Sequence, residues 1–222
     1  MNNVLEKALK SLSSSKKESF KSSDIIVGSE RKQKSSYYIK NGHVKVYSLN
    51  ADGNIKTIAL LKSGDVFPLN WSFEHSSGTF YYYKAMGHVE TYSVDSNEIR
   101  NKLNDDHEAT KAAHTASVKL TWDFMERIKC LQMPYTQEKL LRLLPYLAAK
   151  IGVKKSSTKY ELSYQITQEE IAQLIGATRE SVSAHLVELE KRKALNRNNK
   201  RIVIDMEYVP EEYICGLWFK NI

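Results

Sequence analysis

Cysteine is almost missing from this chain of 222 residues: Cys130 and Cys215 are the only two, far apart in sequence. Two isolated thiols exclude a disulfide framework and a cysteine-held cluster, and the N-terminal cysteines of an iron–sulfur sensor are absent. Long apolar runs are missing too. None exceeds four residues, as in 58–61 (IALL), whereas a membrane-spanning helix needs about 20. The N-terminus is polar and lysine-rich with no apolar core, which excludes a secretory leader. A soluble, cytoplasmic protein with no membrane partner is expected. His43, His75 and His88 fit no H-x-H or H-x₃-H pair, so no metal, haem or other cofactor is expected. Acidic residues are in deficit: the net charge is +7 and the isoelectric point near 9.2, which suits a partner rich in phosphate.

What is present is concentrated in residues 166–204, ITQEEIAQLIGATRESVSAHLVELEKRKALNRNNKRIVI. Thr167 with Glu170 three residues on forms a capping box. Ile171, Leu174 and Ile175 then recur at helical spacing, and Gly176 supplies a left-handed stop. Thr178 caps a second helix whose buried stripe is Val182, Leu186 and Leu189. Two short helices around a glycine turn predict a helix-turn-helix, with residues 178–191 as the reading helix. Arg179, Glu180 and Ser183 lie off the apolar stripe and carry the chemistry of base edges: guanidinium for guanine, carboxylate for cytosine, hydroxyl for either. Residues 191–201 hold six basic residues and no acidic one. Asn198-Asn199 reads as a hairpin turn before the strand 202–204, so a basic wing follows the reader. Thr167, Gln168, Thr178, Ser181, Lys200 and Arg201 are the candidates for phosphate contacts.

This stretch closely resembles the cyclic-AMP receptor/fumarate-nitrate regulator (Crp/Fnr) family of bacterial transcription factors. The family pattern T-x-x-[ED]-[IL]-A-x-x-[LIV]-G-x-[ST]-R-E-[ST]-V-[SG]-R is met from Thr167 to Ser183; Ala184 stands where the family often has arginine. The resemblance implies an α+β chain: an antiparallel β-roll like the cyclic-nucleotide-binding domain, a long dimerisation helix, and a C-terminal winged helix-turn-helix.

The remaining sequence fits that order. Between residues 24 and 98 short alternating runs are separated by Asn41-Gly42, Asp52-Gly53, Gly64-Asp65 and Gly78. The first two read as hairpin turns, and the whole predicts a double-sheet roll or barrel. The phrase YYIKNGHVKVYSLNADG…GDVF also resembles the family's sensor domain. Its phosphate cassette is not matched: Pro68, Leu69 and Thr79 stand where the resemblance calls for Gly, Glu and Arg. Proline offers no amide, leucine accepts nothing and threonine is uncharged, which argues against regulation by a cyclic nucleotide in the usual way. The aromatic run around Trp71, Phe80 and Tyr82 reads either as roll interior or as a pocket for an unknown small-molecule effector.

Val4, Leu5, Ala8, Leu9 and Leu12 predict a short amphipathic helix, and Ser13-Ser14-Ser15 before Lys16-Lys17 a mobile turn. Residues 108–132 return to helical spacing. Ala113, Ala116, Leu120, Phe124 and Ile128 are candidates for a homodimer seam, the small residues letting two backbones approach. Pro145 sits inside a second leucine-rich helix and should kink it or leave one carbonyl unpaired; residues 152–160 read as a flexible connector, and Trp218 and Phe219 as anchors of the tail. The domain boundaries expected are 1–107 for the roll, 108–133 for the dimer helix and 134–222 for the reader. The function that follows is a homodimeric, sequence-specific regulator on palindromic double-stranded DNA, not an enzyme, with RNA polymerase a further candidate partner. Two alternatives stand beside it: a metal-dependent, cupin-like enzyme, and a DNA-binding protein whose roll is purely structural.

Overall fold

Alternating apolar and polar residues between 16 and 95 build one six-stranded antiparallel sheet, seen in a computed structural model that describes residues 2–29, 34–68, 79–198 and 201–214. The chain divides into two compact units, Met1–Asp123 and Phe124–Ile222. The first contains α1 (Asn2–Lys10), β1 (Lys16–Phe20), β2 (Ile25–Val27), β3 (Ser35–Leu49), β4 (Ile55–Lys62), β5 (Val66–Phe67), β6 (Tyr82–Asp95), α2 (Ser96–Asp105) and the start of α3 (His107–Gln132). Strand order is β1-β6-β3-β4, with β2 also on β6 and β5 also on β3.

Two long strands make the roll. The first half of β3 pairs with β5 and with the second half of β6, which carries β1; the second half of β3 pairs with β4 and with the first half of β6, which carries β2. The two layers join where both strands bend. There the β3–β6 register shifts between Ile39 and His43, and Gly42 and Gly87 take φ of 95° and 79°. Asn41-Gly42 is therefore a bulge inside one strand, not the hairpin its composition suggests: the dipeptide supplies a positive φ, which a bulge needs as much as a turn. A Cβ on Gly42 would lie 2.4 Å from the His88 carbonyl. Asp52-Gly53 does turn the chain, between β3 and β4, with Gly53 donating to the Asn50 carbonyl.

The core of the roll is aromatic. Tyr37, Phe67 and Tyr83 stack in a column with centroids 5.1 Å apart at each step. Leu5 and Leu9 of α1 pack with Tyr38, Val66, Tyr92, Val94, Ile99 and Ala113. The serine turn after α1 is pinned: Ser14 Oγ accepts from the Asp95 amide, Ser13 Oγ donates to Glu98, and Lys16 and Lys17 are already strand β1. Ser13 and Ser14 read as mobile in sequence because polar side chains look idle until a partner distant in the chain meets them.

The helix α3 is apolar on more than one side. Ala109 and Ala113 are buried, and Ala113 and Ala116 pack on the cluster containing Leu5 and Ile99. Those alanines let the helix lie close to its own roll, so the seam expected at Ala113 and Ala116 is taken up inside the unit. Leu120 and Phe124 are half-buried. The exposed apolar residues of α3 are Val118, Trp122, Met125, Ile128 and Leu131, at 41–55 %; Ile128 alone is common to the expected seam and this face.

The second unit continues with α4 (Thr136–Ile151), β7 (Gly152–Lys154), β8 (Lys159–Leu162), α5 (Gln168–Ile175), α6 (Arg179–Lys191), β9 (Leu195–Asn198) and β10 (Arg201–Asp205). Its sheet runs β7-β8-β10-β9, all antiparallel. The helix α4 continues through the buried Pro145. Residues 152–154 pair with β8, which shortens the expected connector to the turn 155–158. Trp218 and Phe219 lie outside the described residues, as do Trp71, His75, Lys200 and Cys215.

Candidate nucleic-acid interface

Local chemistry sets the start of each helix in the reader. Thr167 Oγ1 accepts from the Glu170 amide at 3.1 Å while Glu170 Oε2 accepts from the Thr167 amide at 2.9 Å, completing the capping box. Tyr164 donates its hydroxyl to the other Glu170 oxygen at 3.1 Å. Burial, and then the Glu170 charge, push that phenol up to about 12. Gly176 ends α5 in the left-handed region, φ 64° and ψ 40°, and Thr178 Oγ1 accepts from the Ser181 amide at 3.2 Å. Both threonine hydroxyls therefore hold helix starts, which orients the amides around them. Ile171, Leu174, Ile175, Val182, Leu186 and Leu189 are all buried.

The opposite side of α6 is open. Arg179, Glu180, Ser183, Ala184 and Val187 line one shallow depression with Gln168 from the start of α5. Four of the residues read from sequence as DNA contacts thus meet at one place, and Ala184 and Val187 join them. Arg179 and Glu180 are exposed and Ser183 half-buried, and none of the three side chains makes a hydrogen bond or ion pair among the described residues. A guanidinium, a carboxylate and a hydroxyl left uncommitted on one convex helix face are what base edges in a major groove require.

The wing is different. Arg197 grips Glu190 of α6 with two hydrogen bonds, from Nε at 2.6 Å and from Nη2 at 2.5 Å. Arg201 donates to Glu161 of β8 at 2.7 Å, and Arg192 to Glu188 at 2.6 Å. Hydrogen bonds from these arginines hold the Glu161 and Glu190 carboxyls below the usual carboxylate range. The run of six cations is therefore partly neutralised by glutamates that sequence distance concealed. Lys191 and Lys193 remain without an ion-pair partner among the described residues.

Of the three positions read as departing from the phosphate cassette, Pro68 and Thr79 are among the described residues and Leu69 is not. Thr79 is buried and its hydroxyl accepts from the Tyr81 amide at 3.1 Å. Pro68 is buried without a donor. Phe80 is 76 % exposed, so it lines no interior. Tyr82 stacks on Tyr47 at 5.1 Å, and Tyr83 is the member of this run that fills the core. Alternation along β6 decides this, since neighbours point to opposite faces. Among the described residues no three His, Cys, Asp or Glu side chains come together as metal ligands, and no helix is long and apolar enough to cross a membrane.

Comparison with known proteins agrees with this geometry. Residues 138–208 match the Crp-like helix-turn-helix domain, and residues 17–106 the cyclic nucleotide-binding domain. The chain is 24% identical over 172 residues to the CRP-like cAMP-activated global transcriptional regulator of Mycobacterium tuberculosis, covering 76% of this chain and 74% of that one. It is 24% identical over 169 residues to the global nitrogen regulator of Nostoc sp., covering 76% and 75%. The solved structure of FixK2 from Bradyrhizobium japonicum superposes with a TM-score of 0.75 at 17% identity, over 90% of this chain and 98% of that one. With a Crp-like reader, a cyclic-nucleotide-type roll and regulators as relatives, the chain belongs to the Crp/Fnr family of DNA-binding transcriptional regulators.

Proposed function

We propose that α6 enters the major groove and reads base edges with Arg179, Glu180 and Ser183, while Gln168, Ser181 and Lys200 meet phosphates. The observation that carries this is the shared open depression of Arg179, Glu180, Ser183 and Gln168. Thr167 and Thr178 act through the helix starts that they cap, and Arg201 reaches phosphate only by leaving Glu161.

The working form is a homodimer on a palindromic site, joined along Val118, Trp122, Met125, Ile128 and Leu131. Five large apolar side chains at spacings of three and four, each 41–55 % exposed on one helix, support a helical partner of the same kind. The chain serves as a roll (1–107), a dimer helix (108–133) and a reader (134–222), works in the cytoplasm, and is not an enzyme. The mycobacterial relative is named for activation by cAMP. Here Pro68 and Thr79 do not fit that ligand's phosphate, and a different effector, or none, governs this chain.

Selection of bound duplexes from a random pool, with no ligand added and at two salt concentrations, tests the reading. A two-fold symmetric motif is the expected result. Binding that is sequence-blind at both salt concentrations refutes direct reading by the unliganded dimer.

A further inference from the structure

We infer that Arg127, near the C-terminal end of α3, is a positioning residue for DNA reading; the inference rests on α6 being the reading helix. The residue is 3% exposed, and its guanidinium donates through Nη2 to the Leu174 carbonyl in the last turn of α5. The same guanidinium lies over the Tyr146 ring of α4, 5.2 Å from its centroid. Nε and Nη1 have no hydrogen-bond partner among the described residues. The adjacent carboxylate, Glu126, is engaged by Lys129 at 2.7 Å and Arg142 at 3.2 Å.

A buried cation with no carboxylate partner among the described residues is an expensive way to fill space. Desolvation is costly, and one carbonyl and one aromatic face offset only part of it. An unbranched apolar side chain would fill the volume at less cost. What the guanidinium adds is direction. Helix geometry leaves the last carbonyls of α5 without amides and with partial negative charge, so a fixed donor there fixes the last turn itself. Two residues after Leu174 the chain reaches Gly176; the amides of Gly176 and Ala177 both point to the Ala172 carbonyl. Thr178 then caps α6. Between the Arg127 clamp and the first reading side chain, Arg179, lie only four residues. A shift of the clamped turn therefore passes to the start of α6 with little chain to absorb it.

The test uses full-length Arg127→Met and Arg127→Lys proteins. Three quantities are read: melting temperature, affinity for a duplex selected by the wild type against a scrambled duplex, and amide hydrogen exchange at Gly176, Ala177 and Ser181 without DNA. Arg127→Met should melt at or above the wild-type temperature, keep its affinity for the scrambled duplex, lose about tenfold in discrimination and exchange faster at Ala177. Arg127→Lys keeps a donor and should recover most of the discrimination. Unchanged discrimination and exchange in Arg127→Met overturn the inference. So does a melting temperature that falls in step with equal losses on both duplexes, which would mark a merely structural residue. Should the wild type select no sequence, the reader assignment fails by itself, and the exchange rates alone decide on the clamp.

Discussion

Arg201 of β10 donates to Glu161 of β8 at 2.7 Å, so a guanidinium read from sequence as a phosphate contact is already held by a carboxylate. Removing that carboxylate's charge should release it. Glu161→Gln is expected to tighten binding to arbitrary DNA at low salt and to steepen the dependence of log affinity on log salt by about 0.9. Titration of a scrambled duplex at several salt concentrations checks this, and an unchanged slope would mean that Arg201 never reaches phosphate.

The pH behaviour of that pair follows from the sign of the shift. Its arginine partner lowers the Glu161 pKa in the folded protein. The stabilisation is therefore complete above the unfolded carboxylate value, about 4.3, and is lost only as pH falls through the lower folded value. Arg201 should stay masked across neutral pH. DNA affinity of the Glu161→Gln protein relative to the wild type is expected to be constant from about pH 6 to 8, measured with the same scrambled duplex.

The Arg179 side chain has no partner among the described residues and lines the depression on α6. Arg179→Ala should leave the fold intact and relax preference at one base pair per half-site by about 1–3 kcal/mol. A repeated selection with the variant reads this directly: one column of the motif should flatten while the others persist.

Thr167 is the hub of the capping box, accepting from the Glu170 amide while its own amide is bonded by the Glu170 carboxylate. Thr167→Ala is expected to cost about 1 kcal/mol of stability. Thermal melts should shift down by a few degrees, and Thr167→Ser should recover most of the loss because it keeps the oxygen.

Charge placed on the exposed face of α3 should separate subunits without unfolding them. The double variant Met125→Glu, Ile128→Glu is expected to sediment as a monomer and to lose affinity for a symmetric duplex far more than for an isolated half-site. A variant that remains a dimer would move the interface elsewhere.

The parts of this molecule written in neighbouring residues were legible in sequence. Thr167 and Glu170, or Gly176 and Thr178, signal helix ends through contacts three or four residues long, and the structure places them so. Contacts made across distance were hidden. The glutamates that quench Arg197 and Arg201 come from α6 and β8, and nothing near the wing announces them. Spacing of three and four on α3 was satisfied by more than one stripe, and only packing on the roll showed that Ala113 faces inward. Arg127 could have been suspected: it lies seven residues after Leu120 and four before Leu131, inside an apolar pattern where a solvated charge has no place.

Gly42 bears on how the regulator would look in genetics. Any side chain there meets the His88 carbonyl at 2.4 Å and must also adopt a φ of 95°, so substitutions should lower the amount of folded protein rather than its affinity. A reporter screen for lost regulation would recover Gly42 and Arg179 variants with the same phenotype. Immunoblots of the mutant strains would sort them, one class depleted and the other present at full abundance with relaxed reading.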